Sequence, residues 1–176
     1  MNKIGVVLNN LASSQAAFYA IMRANRLLKE RSGIDFALFI EQPAQMCVHP
    51  NFAVFPVVDS YNWSGDLIAT DLNNAQIVAN TAGAGRKFFY MWDLEYLRFN
   101  PRQSYEALAS VYRDERLQLI ARSQHHRRFI ASNFNRDSII MEDFNYEVLC
   151  PSHTSQPQPA KNTIGSTTRN LSLVTK

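Results

Sequence analysis

The chain has 176 residues, 46% of them hydrophobic and 19% charged, which is the composition of one globular domain with a sizeable core rather than of a disordered polypeptide. Its 18 basic residues exceed its 15 acidic ones by three. That excess is Lys161, Arg169 and Lys176, all in an acid-free tail, so the body is neutral and lacks the broad basic face of a nucleic-acid-binding domain. No apolar run approaches the ~20 residues of a membrane helix. Asn9-Asn10 also breaks the first apolar run too early for a secretory h-region, so a cytoplasmic address is expected. Cys47 and Cys150 form no CxxC pair, and Cys47-Val-His49 has no further ligands clustered nearby. Two reduced structural thiols and no metal are expected.

In chain order, Lys3 to Leu8 carries nothing polar after Lys3 and reads as a strand buried on both faces. Asn9 to Ser14 reads as a loop, with Ser13 or Ser14 capping a helix that runs to about Arg31. Ala17, Ile21, Ala24 and Leu28 form its apolar stripe, and Gly33 ends it. Ile34 to Ile40 is a second strand. Residues 42–50 are loop, and Phe52 to Val58 is a third strand, placed near a sheet edge by Pro56. A fourth short strand ends at Thr70. Asp71 caps a helix with Ala75, Val78, Ala79 and Ala82 on one face, stopped by Gly83-Ala-Gly85. Lys87 to Met91 is a fifth strand, and residues 92–99 are loop. Asn100-Pro101 opens a helix whose apolar face is Tyr105, Leu108, Ala109 and Tyr112. Leu117 to Ala121, a helix opened by Ser123, a turn at Asn133 to Asp137 and a strand from Ser138 to Met141 form a final βαβ unit. Residues 151–176, with three prolines and neither acids nor aromatics, read as a disordered polar tail.

Strictly alternating strands and helices predict a single α/β domain over residues 1–150. The expected architecture is a Rossmann-like, doubly wound, mostly parallel sheet with helices on both faces and the first strand central. In such a sheet, ligands bind beyond the carboxyl ends of the strands, where the winding reverses. The candidates there are Asn9, Asn10, Thr70, Asp71, Trp92, Asp93, Glu95, Arg122 and Ser123. This set of amides, carboxylates, an indole and a guanidinium suits a polyhydroxylated ligand. Asp71 and Ser123 are also the N-caps their helices need, and capping is the first role to assign them. Trp92 and Tyr96 could stack on a sugar or a base, or simply cover the core.

Neither G-x-G-x-x-G nor G-x-x-x-x-G-K-[ST] follows the first strand, which argues against a nicotinamide dehydrogenase or a P-loop nucleotidase. No G-x-S-x-G elbow supports a hydrolase triad. His125 and His126 are adjacent on a helix, about 100° apart, and cannot readily share a metal. The cationic run from His125 to Arg128 reads as a solvated face.

Three segments in order carry a family likeness: Lys3-Ile-Gly-Val-Val-Leu before a long amphipathic helix, Gly65-Asp-Leu-Ile-Ala-Thr-Asp71, and Leu119-Ile-Ala-Arg-Ser-Gln with Phe129-Ile and Ser138-Ile-Ile-Met-Glu-Asp-Phe144. Together they resemble the N-terminal, acceptor-side half of GT-B-type glycosyltransferases across residues 1–150, and more loosely short glycosyltransferase-like proteins of tailed phages. Asn9-Asn10-Leu-Ala-Ser-Ser stands in place of the family's glycine-rich loop, and Met141-Glu-Asp-Phe in place of its Pro-Asn-Gly turn. The resemblance implies sugar transfer from a nucleotide-sugar to an acceptor hydroxyl, with Asp71 or Asp93 as the base and Asn9, Asn10, Trp92, Glu95, Arg122 and Ser123 holding substrate. The family's donor-binding half, with its E-x7-E carboxylates, has no counterpart in the sequence. No cofactor is expected, and a nucleotide-sugar donor only if a separately encoded donor-binding subunit supplies its site; a homo-oligomer is the other partner considered. The competing expectation is a non-catalytic interaction protein that docks a partner through the α/β body and residues 151–176.

Overall fold

All seven apolar runs enter one sheet. A computed structural model of the chain describes residues 2–12, 14–92 and 101–150. The strands are β1 (Asn2–Asn10), β2 (Ile34–Gln42), β3 (Ala53–Pro56), β4 (Asp66–Ala69), β5 (Lys87–Met91), β6 (Gln118–Ala121) and β7 (Ser138–Ile140). They pair in the order β3-β2-β1-β4-β5-β6-β7, and every pairing is parallel. The helices are α1 (Gln15–Glu30), α2 (Leu72–Asn80), α3 (Pro101–Arg113) and α4 (Gln124–Phe134). The domain is therefore α/β, Rossmann-like and doubly wound, with the winding reversing between β1 and β4.

Alternation along β1 divides the core. Ile4, Val6 and Leu8 face one side, with Ala20, Ile21, Ala24 and Leu27 of α1. Val7 faces the other, with the buried residues of α2, α3 and α4. Helices thus lie on both faces, but among the described residues α1 is the only α-helix on the first. Residues 43–52 lead from β2 to β3 without a helix, which leaves that face short of cover. The segment Met141 to Cys150, containing the 3-10 turns Glu142–Phe144 and Tyr146–Leu149, lies across it as a strap. Phe144, Tyr146, Leu149 and Cys150 are all buried in the α1-side core.

The local expectations hold with instructive shifts. Ser14 caps α1, accepting from the Ala17 amide at 3.1 Å; the alternative cap, Ser13, lies outside the described residues, as do Asn100 and the tail 151–176. Helix α1 ends at Arg31 in extended backbone, and Gly33, at φ 82°, makes the turn into β2. The buried stripe uses Leu27 rather than Leu28, which is only partly covered. Helix α2 stops at Asn80 and leaves Ala82 exposed beyond it. Tyr105 on α3 is exposed, and Val111 takes the buried place beside Leu108, Ala109 and Tyr112. Asn9 and Asn10 belong to β1 and not to the loop expected there, because Asn10 pairs with Gln42 of β2. β3 is the sheet edge, as Pro56 required.

Candidate functional site

The β1–β4 ladder stops at the Val7–Ala69 pair, and beyond it the two strand ends diverge. The Thr70 hydroxyl donates to the Val7 carbonyl at 2.8 Å, supplying a partner at the point where the ladder ends. A cleft of about 770 Å³ opens here, lined by Asn9, Asn10, Gln15, Thr70, Asp71, Asn73, Trp92 and Arg122 among others. Six of the nine candidates expected from the sequence meet in it: Asn9, Asn10, Thr70, Asp71, Trp92 and Arg122. Ser123 sits next door, in a smaller cleft of about 320 Å³ shared with Arg122, His126, Glu142 and Asp143. Asp93 and Glu95, like Tyr96, lie outside the described residues.

Several of these side chains have structural work. Asp71 caps α2: one carboxylate oxygen accepts from the Asn74 amide at 2.8 Å and the other from the Asn74 side-chain amide. Ser123 caps α4, accepting from the His126 amide at 3.3 Å. Asn10 accepts from the Ala12 amide at 2.9 Å and so shapes its own turn. Asn9 is exposed at the strand end.

Burial pushes the Asp71 carboxyl above its ordinary value, against the lowering pull of the Asn74 and Asn73 donors. Glu41, at the end of β2, is raised by burial and then by the charge of Asp71. Glu41 lies beyond Ile40, where the apolar run of β2 ends, and belongs to the strand because pairing with β1 continues to Gln42. Asp71 and Glu41 bind protons more readily in the folded chain than in the unfolded one. Their contribution to stability is complete below the unfolded carboxylate range, ~4, and is lost as pH rises through their raised folded values. Asp71→Asn keeps a capping acceptor, so it is expected to flatten this slope and to raise the urea midpoint at neutral pH. Urea unfolding at a series of pH values checks this, and a slope unchanged from wild type would refute it.

Trp92 and Arg122 line the cleft, and the strap backs both of them. Arg122 donates from Nε at 3.0 Å and from Nη2 at 2.8 Å, both to Oδ1 of Asp143. Its guanidinium lies 3.9 Å from the centre of the Trp92 ring. Trp92 in turn stacks on Phe144 at 5.2 Å and touches Tyr19 and Tyr90. The Tyr90 hydroxyl donates to the Met141 carbonyl at 2.8 Å, and burial pushes that phenol up. Trp92 therefore covers the core and also lines the cleft. Asp143 and Phe144 hold φ of 43° and 58°, two successive left-handed residues that each cost of order 1–3 kcal/mol. That turn delivers Asp143 to Arg122 and Phe144 to Trp92.

No family model, curated protein or solved structure matches this chain. Its function must therefore be argued from the fold and the cleft. Among the described residues no cluster of three His, Cys, Asp or Glu side chains is placed to hold a metal, and no helix is long and apolar enough to cross a membrane. Cys47 and Cys150 are unbridged, and burial raises the Cys150 thiol, which makes it a poor nucleophile. On α4, His125 and Arg128 are exposed, while Arg127 pairs with Asp137 at 2.8 Å.

Proposed function

We propose that the chain is a glycosyltransferase-like, acceptor-side domain that binds a hydroxyl-rich ligand in the cleft beyond β1 and β4. One observation carries the reading: side chains from the ends of β1, β4, β5 and β6 converge there, and amides, a hydroxyl and a carboxylate match the hydrogen-bonding needs of a sugar. In transfer, Asp71 takes the proton of the acceptor hydroxyl. The freed oxygen forms a bond to the anomeric carbon of the donor, and the nucleoside diphosphate leaves with the electron pair. The donor site is supplied by a separate subunit. Asp93 and Glu95 belong to the same proposal as second base and substrate ligand.

Free sugars and UDP- or GDP-sugars titrated into the chain, followed by amide NMR shifts, test the reading. Shifts are expected at Asn9, Asn10, Thr70 and Asn73. Asn9 is exposed, so Asn9→Ala is expected to leave the fold intact and to weaken binding about tenfold, the effect of one lost hydrogen bond. Silence of those amides towards every sugar would sink the proposal.

One observation favours the alternative of an interaction protein. The edge strand β3 and the turn after it expose Phe55, Val58 and Tyr61, the last two at 62% and 49%. An apolar sheet edge of this kind invites a partner. Phe55→Ser would then abolish partner capture or self-association in light scattering and leave sugar binding unchanged.

A further inference from the structure

We propose that the cleft takes an acidic ligand, a hydroxyl-rich molecule carrying a carboxylate or a phosphate, whose anionic group displaces Asp143 from Arg122. This rests on the reading of the cleft as a ligand site and narrows the class of ligand.

Among the described residues that line the main cleft, Arg122 is the single cation, and it also lines the smaller cleft that holds Asp143. It forms the wall between the two. Its side chain is 33% exposed and that of Asp143 32%, so the ion pair can be reached from solvent. The pairing itself is incomplete. Both donors converge on Oδ1, and Nη1 stays outside the contact. A guanidinium fork is best matched by two oxygens side by side. Asp143 offers one; a carboxylate or phosphate entering from the cleft offers two.

Two features favour exchange. Trp92 lies beneath the guanidinium at 3.9 Å, so Arg122 keeps its place when Asp143 leaves and an incoming anion meets a preorganised fork. Asp143 also lines the smaller cleft, which gives its carboxylate solvent to move into.

The cleft is also bipolar. Asp71 follows β4 and Arg122 follows β6, two strand spacings away, about 10 Å, which is also about the Debye length at 0.1 M salt. At that distance salt attenuates, without abolishing, the repulsion between an anion at Arg122 and the Asp71 carboxylate. A ligand with hydroxyls at one end and an acid at the other matches both ends, and a wholly neutral sugar uses only one.

Glucose, glucuronate and glucose 6-phosphate titrated into the full chain by calorimetry test the inference, with urea midpoints to verify the fold of each variant. At least one acidic sugar is expected to bind about tenfold or more tightly than glucose, the scale of one charge-assisted fork. Which of the two does so tells carboxylate from phosphate. Asp143→Asn removes the internal competitor and keeps a residue at home in the left-handed region; it is expected to raise acidic-sugar affinity several-fold and leave that of glucose unchanged. Arg122→Gln should reduce the acidic sugars to the level of glucose, and Arg122→Lys should restore only part of the preference. Equal affinity for glucose and both acids, or an acid-to-glucose ratio unmoved by Asp143→Asn, overturns the inference while the sugar site stands. Binding of none of the three, in wild type and in Asp143→Asn, overturns both.

Discussion

Tyr146→Ala is expected to destabilise the chain by about 3–5 kcal/mol, the range for truncating a fully buried aromatic. Tyr146 is 1% exposed, and its ring lies 5.0 Å from Phe36 and 5.9 Å from Phe144. Its hydroxyl donates to the Ala20 carbonyl at 3.2 Å. The size of the effect follows from the topology. No helix joins β2 to β3, so the β2 end of the α1-side face is covered by Cys47, Val48 and Phe52 of the connecting loop together with the strap. Tyr146 is fully buried there, tied to β2 by its ring and to α1 by its hydroxyl. Tyr146→Phe removes only the hydrogen bond and should cost about 1 kcal/mol. Urea unfolding read at an unchanged m-value separates the two. A Tyr146→Ala chain within about 1 kcal/mol of wild type would mean that the strap is not part of the cooperative core.

Gly65→Ala should cost about 3 kcal/mol, at the upper end of what overpacking costs. A Cβ at position 65 would overlap the Cβ and the carbonyl of Lys3. Those are backbone-linked atoms of β1, which cannot swing aside as the far end of a side chain can. The clash sits just before the first β1–β4 pair, Ile4 with Asp66, so relief requires the two central strands to part at their amino ends. Gly85 is the control. Its added Cβ would lie 3.4 Å from Asp66 Oδ1 and 3.6 Å from the Gly65 carbonyl, ordinary contacts, and Gly85→Ala should stay within about 1 kcal/mol. Both are read from chemical denaturation, and a Gly65→Ala chain as stable as Gly85→Ala would show that the β1–β4 approach is slack.

The two effects mark different limits of sequence reading. Seven strands and four helices were legible because each is written locally, in a short apolar run or in a cap at its proper offset. Ser14, Asp71 and Ser123 each accept the amide three residues on, as an N-cap must. The site was legible to the same extent. Once the sheet is parallel, residues just after each strand share one edge, which is how Asn9, Asn10, Asp71, Trp92 and Arg122 could be named together. What the strands' ends do was less legible. Glu41 was missed because β2 runs past its apolar residues, and Asp143 because nothing local pairs it with Arg122, 21 residues earlier.

By itself, then, the sequence determined the order and type of the elements, the neutral body, the edge position of β3 and the reversal beside β1, since period, caps and proline act over a few residues. Only the tertiary structure decided that Met141 to Cys150 would replace a missing helix, that two left-handed residues would carry Asp143 and Phe144 to Arg122 and Trp92, and that Asp71 would face Glu41. Those outcomes depend on which surfaces remain uncovered once the sheet has formed, and on charges brought together across strands, quantities that no short window of sequence contains.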